Sequence, residues 1–170
     1  MLVLLTLAGA TLSACAPTPE PSPTPTAAFA SEEEAFAAAE ETYRAYTEAL
    51  NKVEIDEPAT YEALAAYSSG DFEAADRKSF SELHAEKYEL QGETRVMRFT
   101  GLESEPPYNE VLALACLDVS DSRVVDESGS SVVPPDRPDV NAVQLTFRLS
   151  GADLLIDHAE REDNSTCAAS

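Results

Sequence analysis

The chain has 170 residues, of which 44% are hydrophobic and 25% are charged, so its composition can supply the core of one folded domain. Acidic residues outnumber basic ones by 32 to 11, which gives a formal net charge of −21. Because a field of this sign repels phosphate-rich polymers and anionic lipid head groups, we exclude nucleic acid as a partner.

The first residues predict an export signal over residues 1–14. Residues 2–12 read LVLLTLAGATL, an uncharged run that suits the core of a signal peptide and is too short to span a bilayer. Leu12-Ser13-Ala14-Cys15 follows at once and resembles the lipobox of bacterial lipoproteins. The resemblance implies lipidation of Cys15 and attachment to the extracytoplasmic face of the cell membrane.

One feature departs from the lipobox pattern, since no Lys or Arg precedes the apolar run. A translation start upstream of Met1, with basic residues before it, would account for this departure. The alternative interpretation is a buried N-terminal helix that happens to end in a cysteine.

A Pro-rich tether is predicted over residues 15–30. Residues 16–26 read APTPEPSPTPT, and the alternating prolines remove backbone donors and favour polyproline II over helix or sheet. At roughly 3.1 Å per residue the segment up to residue 30 spans about 45 Å. We therefore expect a disordered but semi-rigid spacer, then a single domain over residues 31–167 and a short tail at 168–170.

Three helices are predicted at the start of the domain. The first begins at Ser31, which forms a capping box with Glu34, and ends near residue 51. The second begins at Asp56 as its cap, with Pro58 in the first turn, and the third begins at Asp71. Their apolar positions at helical spacing are Phe36, Ala39, Tyr43, Tyr46 and Leu50, then Tyr61, Leu64 and Ala65, then Phe72, Ala75, Phe80, Leu83 and Tyr88.

After residue 88 the apolar period changes to that of strands. Residues 94–100 form a strand-like run, and residues 110–119 are apolar on both faces, which is typical of a central strand. Residues 123–133 predict a hairpin that turns at 126–129, and residues 143–149 alternate before a last strand at 154–161. The fold class is therefore α+β, with about three N-terminal helices packed on a curved, mostly antiparallel, cone-like sheet of four to six strands.

This order of elements resembles the nuclear-transport-factor-like cone fold. The stretch from Asp118-Val119-Ser120-Asp121 to Asp136-Arg137-Pro138-Asp139 is similar to small actinobacterial lipoproteins with that domain. The resemblance covers about residues 31–167 and implies a fold and a location. It does not select a function, because isomerases, dehydratases and accessory domains all share the cone fold.

Two cysteines remain besides Cys15, namely Cys116 and Cys167. Outside the cytoplasm such a pair is more often joined than free, so a disulfide that fixes the C-terminus to the sheet is predicted. Closing a loop of about 50 residues would stabilise the fold by roughly 4 kcal/mol. The alternative is a redox pair, which requires nearby cysteines or a basic environment that the sequence does not show.

Sequence motifs of catalysis are absent. The chain has no His-Glu-x-x-His, Ser-x-x-Lys, Gly-x-Ser-x-Gly or Gly-rich phosphate loop, so no catalytic residue and no cofactor is predicted. The acidic stretch from Asp118 to Glu127 misses the spacing of a calcium loop, so no metal is predicted either.

A small pocket is the one site hypothesis that the sequence offers. Tyr43, Tyr46 and Tyr67 would line it together with His158 if the cone is open at one end. His158 shares a predicted strand face with Leu154 and Ile156, and the alternative for it is a partly buried, hydrogen-bonded side chain. We expect the second histidine, His84, to lie on a solvated helix face.

Three functions are compatible with these features. The anchor, the spacer and the missing catalytic motifs favour a membrane-anchored extracytoplasmic lipoprotein with a non-catalytic domain that binds an envelope protein or a small hydrophobic ligand. The second is an isomerase- or dehydratase-like enzyme acting on a small hydrophobic molecule, with a general base that is His158 or a carboxylate whose pKa is raised by burial. The third, based on the net charge of −21, is a cation-buffering or purely structural surface protein.

Overall fold

The computed structural model describes residues 27–168; the predicted signal peptide and the tether up to residue 26 lie outside the described residues. The helices are α1 (Glu32–Leu50), α2 (Pro58–Glu62), α3 (Gly70–Ala85) and α4 (Ser165–Ala168), and a 3₁₀ turn at Ala63–Ala66 continues α2. The strands are β1 (Glu89–Gln91), β2 (Arg95–Glu103), β3 (Glu110–Asp118), β4 (Arg123–Val125), β5 (Val140–Ser150) and β6 (Asp153–Glu162).

The strands form two antiparallel sheets. The larger has the order β2-β3-β5-β6, and β1 pairs with β4 in a separate two-stranded sheet. Helix α1 lies across β2, β3 and β6, and α3 contacts β6. The predicted α+β class, with helices packed on a curved antiparallel sheet, is confirmed.

The space between α1 and the large sheet is filled by side chains. Leu145, Phe147 and Ile156 are 0% exposed, as are Ala35 and Ala39 on the helix. These small helical residues let α1 approach the sheet closely, and the facing side chains exclude solvent. Phe29, in the segment assigned to the tether from the sequence, also packs into this core with 9% of its surface exposed.

The start of α1 agrees with its sequence signal, whereas the start of α2 does not. The Glu34 backbone N–H donates to Ser31 Oγ at 3.3 Å, and Glu34 Oε2 accepts from the Ala30 N–H at 2.7 Å. At α2 the N-cap position is held by Glu57 without a side-chain bond, so the prediction of Asp56 as the cap was wrong. The Thr60 hydroxyl closes this turn instead, by hydrogen bonds to backbone atoms of residues 54 and 57.

A bulge in β6 changes the predicted face of His158. Thr146 pairs with His158 and the next residue of β5, Phe147, pairs with Ile156, so Asp157 is the extra residue. Because side chains alternate along a strand, one inserted residue moves His158 off the face that carries Ile156. His158 is therefore exposed, and the prediction that it shares a buried face with Leu154 and Ile156 was wrong.

The hairpin at 123–133 forms only in part. Its turn closes with the Gly129 N–H donating to the Asp126 carbonyl at 2.8 Å, and Val125 bridges to Ser131. The main partner of β4 is β1, however, with Leu90 opposite Val124. Strand β1 was not predicted, because three residues are too few to show the alternation of apolar and polar side chains that marks a strand.

The predicted disulfide is confirmed. Cys116 on β3 is joined to Cys167 on α4, 51 residues apart, with 5.7 Å between the Cα atoms. Cys116 is 1% exposed, and Arg98 donates to the Thr166 carbonyl at 2.7 Å. The bond and this contact together fix the last described residues against the sheet.

Candidate functional site

The four residues predicted to line a pocket are not brought together. Tyr43 and Tyr46 are 5% and 6% exposed, and their stacked rings, 6.3 Å apart, are part of the core. Tyr67 is half-buried and borders a cleft of about 360 Å³ beside Leu154. His158 is exposed on the opposite face of the sheet from Phe147, as the bulge at Asp157 requires.

A cleft of about 720 Å³ lies where α3 ends, and we call it the α3-end cleft. Its apolar floor includes Val53 and Ile55, which are 7% and 4% exposed, together with Tyr88 and Leu90. Its remaining lining residues are Glu54, Asp56, His84, Ala85, Lys87, Glu89 and Glu127. The cleft therefore combines an apolar floor with a charged rim, and its volume is within the range of small-molecule sites.

The end of α3 positions one side of this cleft. The Tyr88 N–H donates to the Leu83 carbonyl at 3.0 Å and the Lys87 N–H to the His84 carbonyl at 3.1 Å, which is a Schellman motif. Lys87 adopts φ +55°, in the left-handed region that glycine usually fills at this position. The chain therefore turns sharply into β1 and carries Tyr88 and Leu90 to the cleft.

Two polar side chains at the cleft have defined partners. His84 Nδ1 lies 2.7 Å from the Ile55 carbonyl oxygen. Because a carbonyl can only accept, Nδ1 donates, and in the neutral ring Nε2 is then the basic nitrogen. Lys87 Nζ lies 3.0 Å from Glu127 Oε1 and joins the helix end to the hairpin.

A second cleft, of about 580 Å³, lies between α3 and the segment formed by α2 and its 3₁₀ turn; we call it the Asp76 cleft. Tyr61, Leu64 and Ala65 line one side, while Asp76 and Arg77 lie on the other. The Tyr46 hydroxyl donates to Asp76 Oδ2 at 2.7 Å. Asp76 is half-buried, so its carboxylate belongs both to the core and to the cleft.

The electrostatics of this second cleft are set by burial. Burial raises the pKa of the Asp76 carboxyl, and the hydrogen bond from Tyr46 opposes the rise. Burial also raises the pKa of the Tyr43 and Tyr46 hydroxyls, and the negative charge of Asp76 adds to both rises. Arg77, the next residue along α3, pairs with Glu73 instead of Asp76.

Neither cleft has a signal in the sequence. The α3-end cleft combines residues 53–56, 84–90 and 127, and the Asp76 cleft depends on how α2 and its 3₁₀ turn pack against α3. Within residues 27–168 no group of three or more His, Cys, Asp or Glu side chains is arranged to hold a metal ion. No helix in the same range meets the length and hydropathy required of a bilayer-spanning segment.

No protein-family model matches the chain, and no curated protein matches it in sequence. Solved structures share its fold. The intermembrane space region of the chloroplast protein ARC6 has a TM-score of 0.55 and 10% identity, over 74% of this chain and 95% of that one. A proposed aromatic ring hydroxylase of Novosphingobium aromaticivorans has a TM-score of 0.55 and 13% identity, over 78% of this chain and 90% of that one. Identities this low show a common fold and leave the activity open.

Proposed function

We propose that the protein is a lipid-anchored extracytoplasmic lipoprotein whose domain binds a small ligand or an envelope partner without chemical conversion. The observation that carries the binding role is the α3-end cleft, about 720 Å³ with an apolar floor at Val53 and Ile55. Clefts of this volume accommodate small molecules. The interior between α1 and the sheet is filled, so the binding role is assigned to this surface cleft.

Support for the anchor comes from residues 2–26, which combine a short apolar run, a lipobox-like Leu12–Cys15 and a Pro-rich spacer. Two acyl chains would hold the domain stably at a membrane, whereas one would be marginal. The proposal predicts that the full chain, made in a bacterium, partitions into the detergent phase of Triton X-114. Labelled palmitate should enter this protein but not Cys15→Ser, and an unsubstituted chain that takes up no label would contradict the anchor.

The binding role is tested by a fragment screen on full-chain Cys15→Ser protein, followed by NMR mapping. Fragments with an apolar body should give saturable shifts at Ile55, Tyr88 and Leu90. Tyr88→Ala should weaken binding at least tenfold, whereas Tyr108→Ala, a matched aromatic change outside the cleft, should not. An absence of saturable shifts at these residues would contradict the assignment of the cleft.

A second candidate function, an enzyme of the cone-fold class acting on a small hydrophobic molecule, is favoured by His84. Its ring is oriented by the Ile55 carbonyl at 2.7 Å, and Nε2 is then available as a base beside the apolar floor. In D2O such an enzyme would replace the protons on the carbon next to the carbonyl of a small cyclic enone with deuterium. Exchange above the rate of His84→Gln protein would support an enzyme, and equal rates would exclude this role for His84.

A further inference from the structure

We propose that the Asp76 cleft is a second site, and that it binds a protonated amine carried on a small apolar or aromatic body. The site is separate from the α3-end cleft and does not depend on the function proposed for that cleft. The inference rests on the juxtaposition of one half-buried carboxylate and one aromatic wall in a cleft of about 580 Å³.

The carboxylate has a polar partner on one oxygen. Tyr46 donates to Oδ2 at 2.7 Å, and the Tyr46 ring is itself fixed edge-on against Phe72, with 5.3 Å between centroids. The direction of the Asp76 carboxylate is therefore set by two buried or half-buried rings. Oδ1 remains as an acceptor on a group whose position is already ordered, which lowers the entropy cost of binding.

The charge of Asp76 is incompletely compensated within the described residues. Its neighbour Arg77 forms an i,i+4 pair with Glu73, and the hydrogen bond of Asp76 comes from a neutral hydroxyl. A carboxylate withdrawn from water gains most from a cation placed beside it. A protonated amine supplies that cation, whereas a ligand carboxylate at the same place would be repelled.

The opposite wall fits the apolar body of such a ligand. Tyr61 is stacked on Phe80, with centroids 5.4 Å apart and 16° between the ring planes, and Leu64 is 1% exposed beneath it. Aromatic faces attract cations as well as apolar groups. The wall and the carboxylate face the same cleft from different helices, so one small molecule can contact both.

The surrounding charges add to the preference for cations. Glu62 and Glu73 also line the cleft, and Arg77 is the single cationic residue among its lining side chains. The whole chain carries a formal charge of −21, which raises the local concentration of cationic ligands. Both effects favour an amine over a neutral molecule of the same shape.

The test uses three probes of nearly equal shape, benzylamine, benzyl alcohol and benzoate, titrated into full-chain Cys15→Ser protein and followed by NMR. Benzylamine should bind at least tenfold more tightly than benzyl alcohol, and benzoate should not bind in the cleft. Asp76→Asn should reduce benzylamine to the affinity of the alcohol. Glu103→Gln removes the same unit of charge at an exposed position on β2 and should leave the affinity unchanged.

Equal binding of benzylamine and benzyl alcohol, or equal losses in Asp76→Asn and Glu103→Gln, would overturn the proposal. If Asp76→Asn does not fold, the Asp76 carboxyl is titrated by NMR in the unsubstituted Asp76 protein with and without benzylamine. A bound amine must lower the pKa of this carboxyl. An unchanged carboxyl titration with saturating benzylamine would also overturn the proposal. Failure here leaves the α3-end cleft untouched, since its ligands shift Ile55 and Tyr88 instead.

The pH dependence of binding has a defined direction. Affinity for benzylamine should rise as the pH increases through the Asp76 pKa, because the carboxyl becomes charged while the amine remains protonated. Tyr43 and Tyr46 from α1 interact with the Asp76 charge. The other titratable or charged groups that line the same cleft are Tyr61 and Glu62 from α2 and Glu73 and Arg77 from α3. Any change of benzylamine affinity with pH that is lost in Asp76→Asn is due to Asp76. An affinity profile against pH that this substitution leaves unchanged would count against the site.

Discussion

The hydroxyl of Tyr46 on α1 donates a hydrogen bond to the carboxylate of Asp76 on α3, with 2.7 Å between the two oxygens. The two residues are 30 positions apart, and Tyr46 is 6% exposed. The bond satisfies a hydroxyl in the core and orients a carboxylate at a cleft. It therefore links the stability of the domain to the chemistry of one of its clefts.

Tyr46→Phe should lower the free energy of unfolding by about 1–3 kcal/mol, because the half-buried Asp76 carboxylate loses its donor. The control is Tyr61→Phe, which keeps the ring that stacks on Phe80 and should cost less than about 0.5 kcal/mol. Urea unfolding at neutral pH measures both changes. Equal losses in the two variants would show that the Tyr46–Asp76 bond contributes nothing specific.

Asp76→Asn should change the dependence of stability on pH. The folded-state pKa of Asp76 is raised above its ordinary value of 3.8, so folding favours the protonated carboxyl. Its contribution is fully present below pH 3.8 and is lost as the pH rises through the folded pKa. The difference in unfolding free energy between the natural protein and Asp76→Asn should therefore fall as the pH is raised from acid to neutral.

Urea unfolding of both proteins between pH 3 and pH 7 measures this difference, in which the effects of the other carboxylates cancel. Glu103→Gln is the control, since it changes the net charge equally at an exposed position. A difference for Asp76→Asn that rises with pH would contradict the direction of the pKa shift.

The bulge at Asp157 gives opposite expectations for two nearby residues. Ile156→Ala should cost about 2–5 kcal/mol, because Ile156 is 0% exposed in the core. His158→Ala should change the unfolding free energy by less than about 0.5 kcal/mol, because His158 is exposed. A strand without the bulge would bury both side chains, so a large loss in His158→Ala would refute the register described for β6.

Much of the fold could be predicted because its signals are local. The capping residue Ser31 and the alternation from Val143 to Leu149 each lie within one segment. The pairing of Cys116 with Cys167 follows a general rule for two cysteines in an exported domain. The bulge at Asp157 could not be predicted, since the alternation of β6 looks regular until its partner strand is known. The left-handed Lys87 was equally hidden, because a glycine at that position would have been the usual signal.

The candidate sites were harder to predict than the fold. The sequence predicts Tyr46 as a pocket residue, whereas in the structure its ring lies in the core and its hydroxyl bonds Asp76, which lines a cleft. His84 is exposed on its helix, as expected, but the contact of its ring with the Ile55 carbonyl, 29 residues away, has no local signature. Sites assembled from distant segments become visible only when tertiary packing is known.

Breaking the disulfide should lower the free energy of unfolding by up to about 4 kcal/mol, because the cross-link between Cys116 and Cys167 closes a loop of 51 residues in the unfolded chain. Comparing oxidised with reduced protein of the same sequence avoids a change in core packing at Cys116. Cys15→Ser, treated in the same two states, is the control that removes the third thiol. No difference between the oxidised and reduced forms would contradict a stabilising role.

The proposed function depends most on attachment of the chain to a membrane through a lipid at Cys15. The intact mass of the full chain tests this attachment most directly. Protein extracted from membranes of a bacterium that processes lipoproteins should have lost residues 1–14 and gained the mass of a diacylglyceryl group at Cys15. Cys15→Ser should keep those residues and carry no lipid. An unmodified mass for the unsubstituted chain, found in the soluble fraction with Met1 to Ala14 still attached, would contradict lipidation at Cys15.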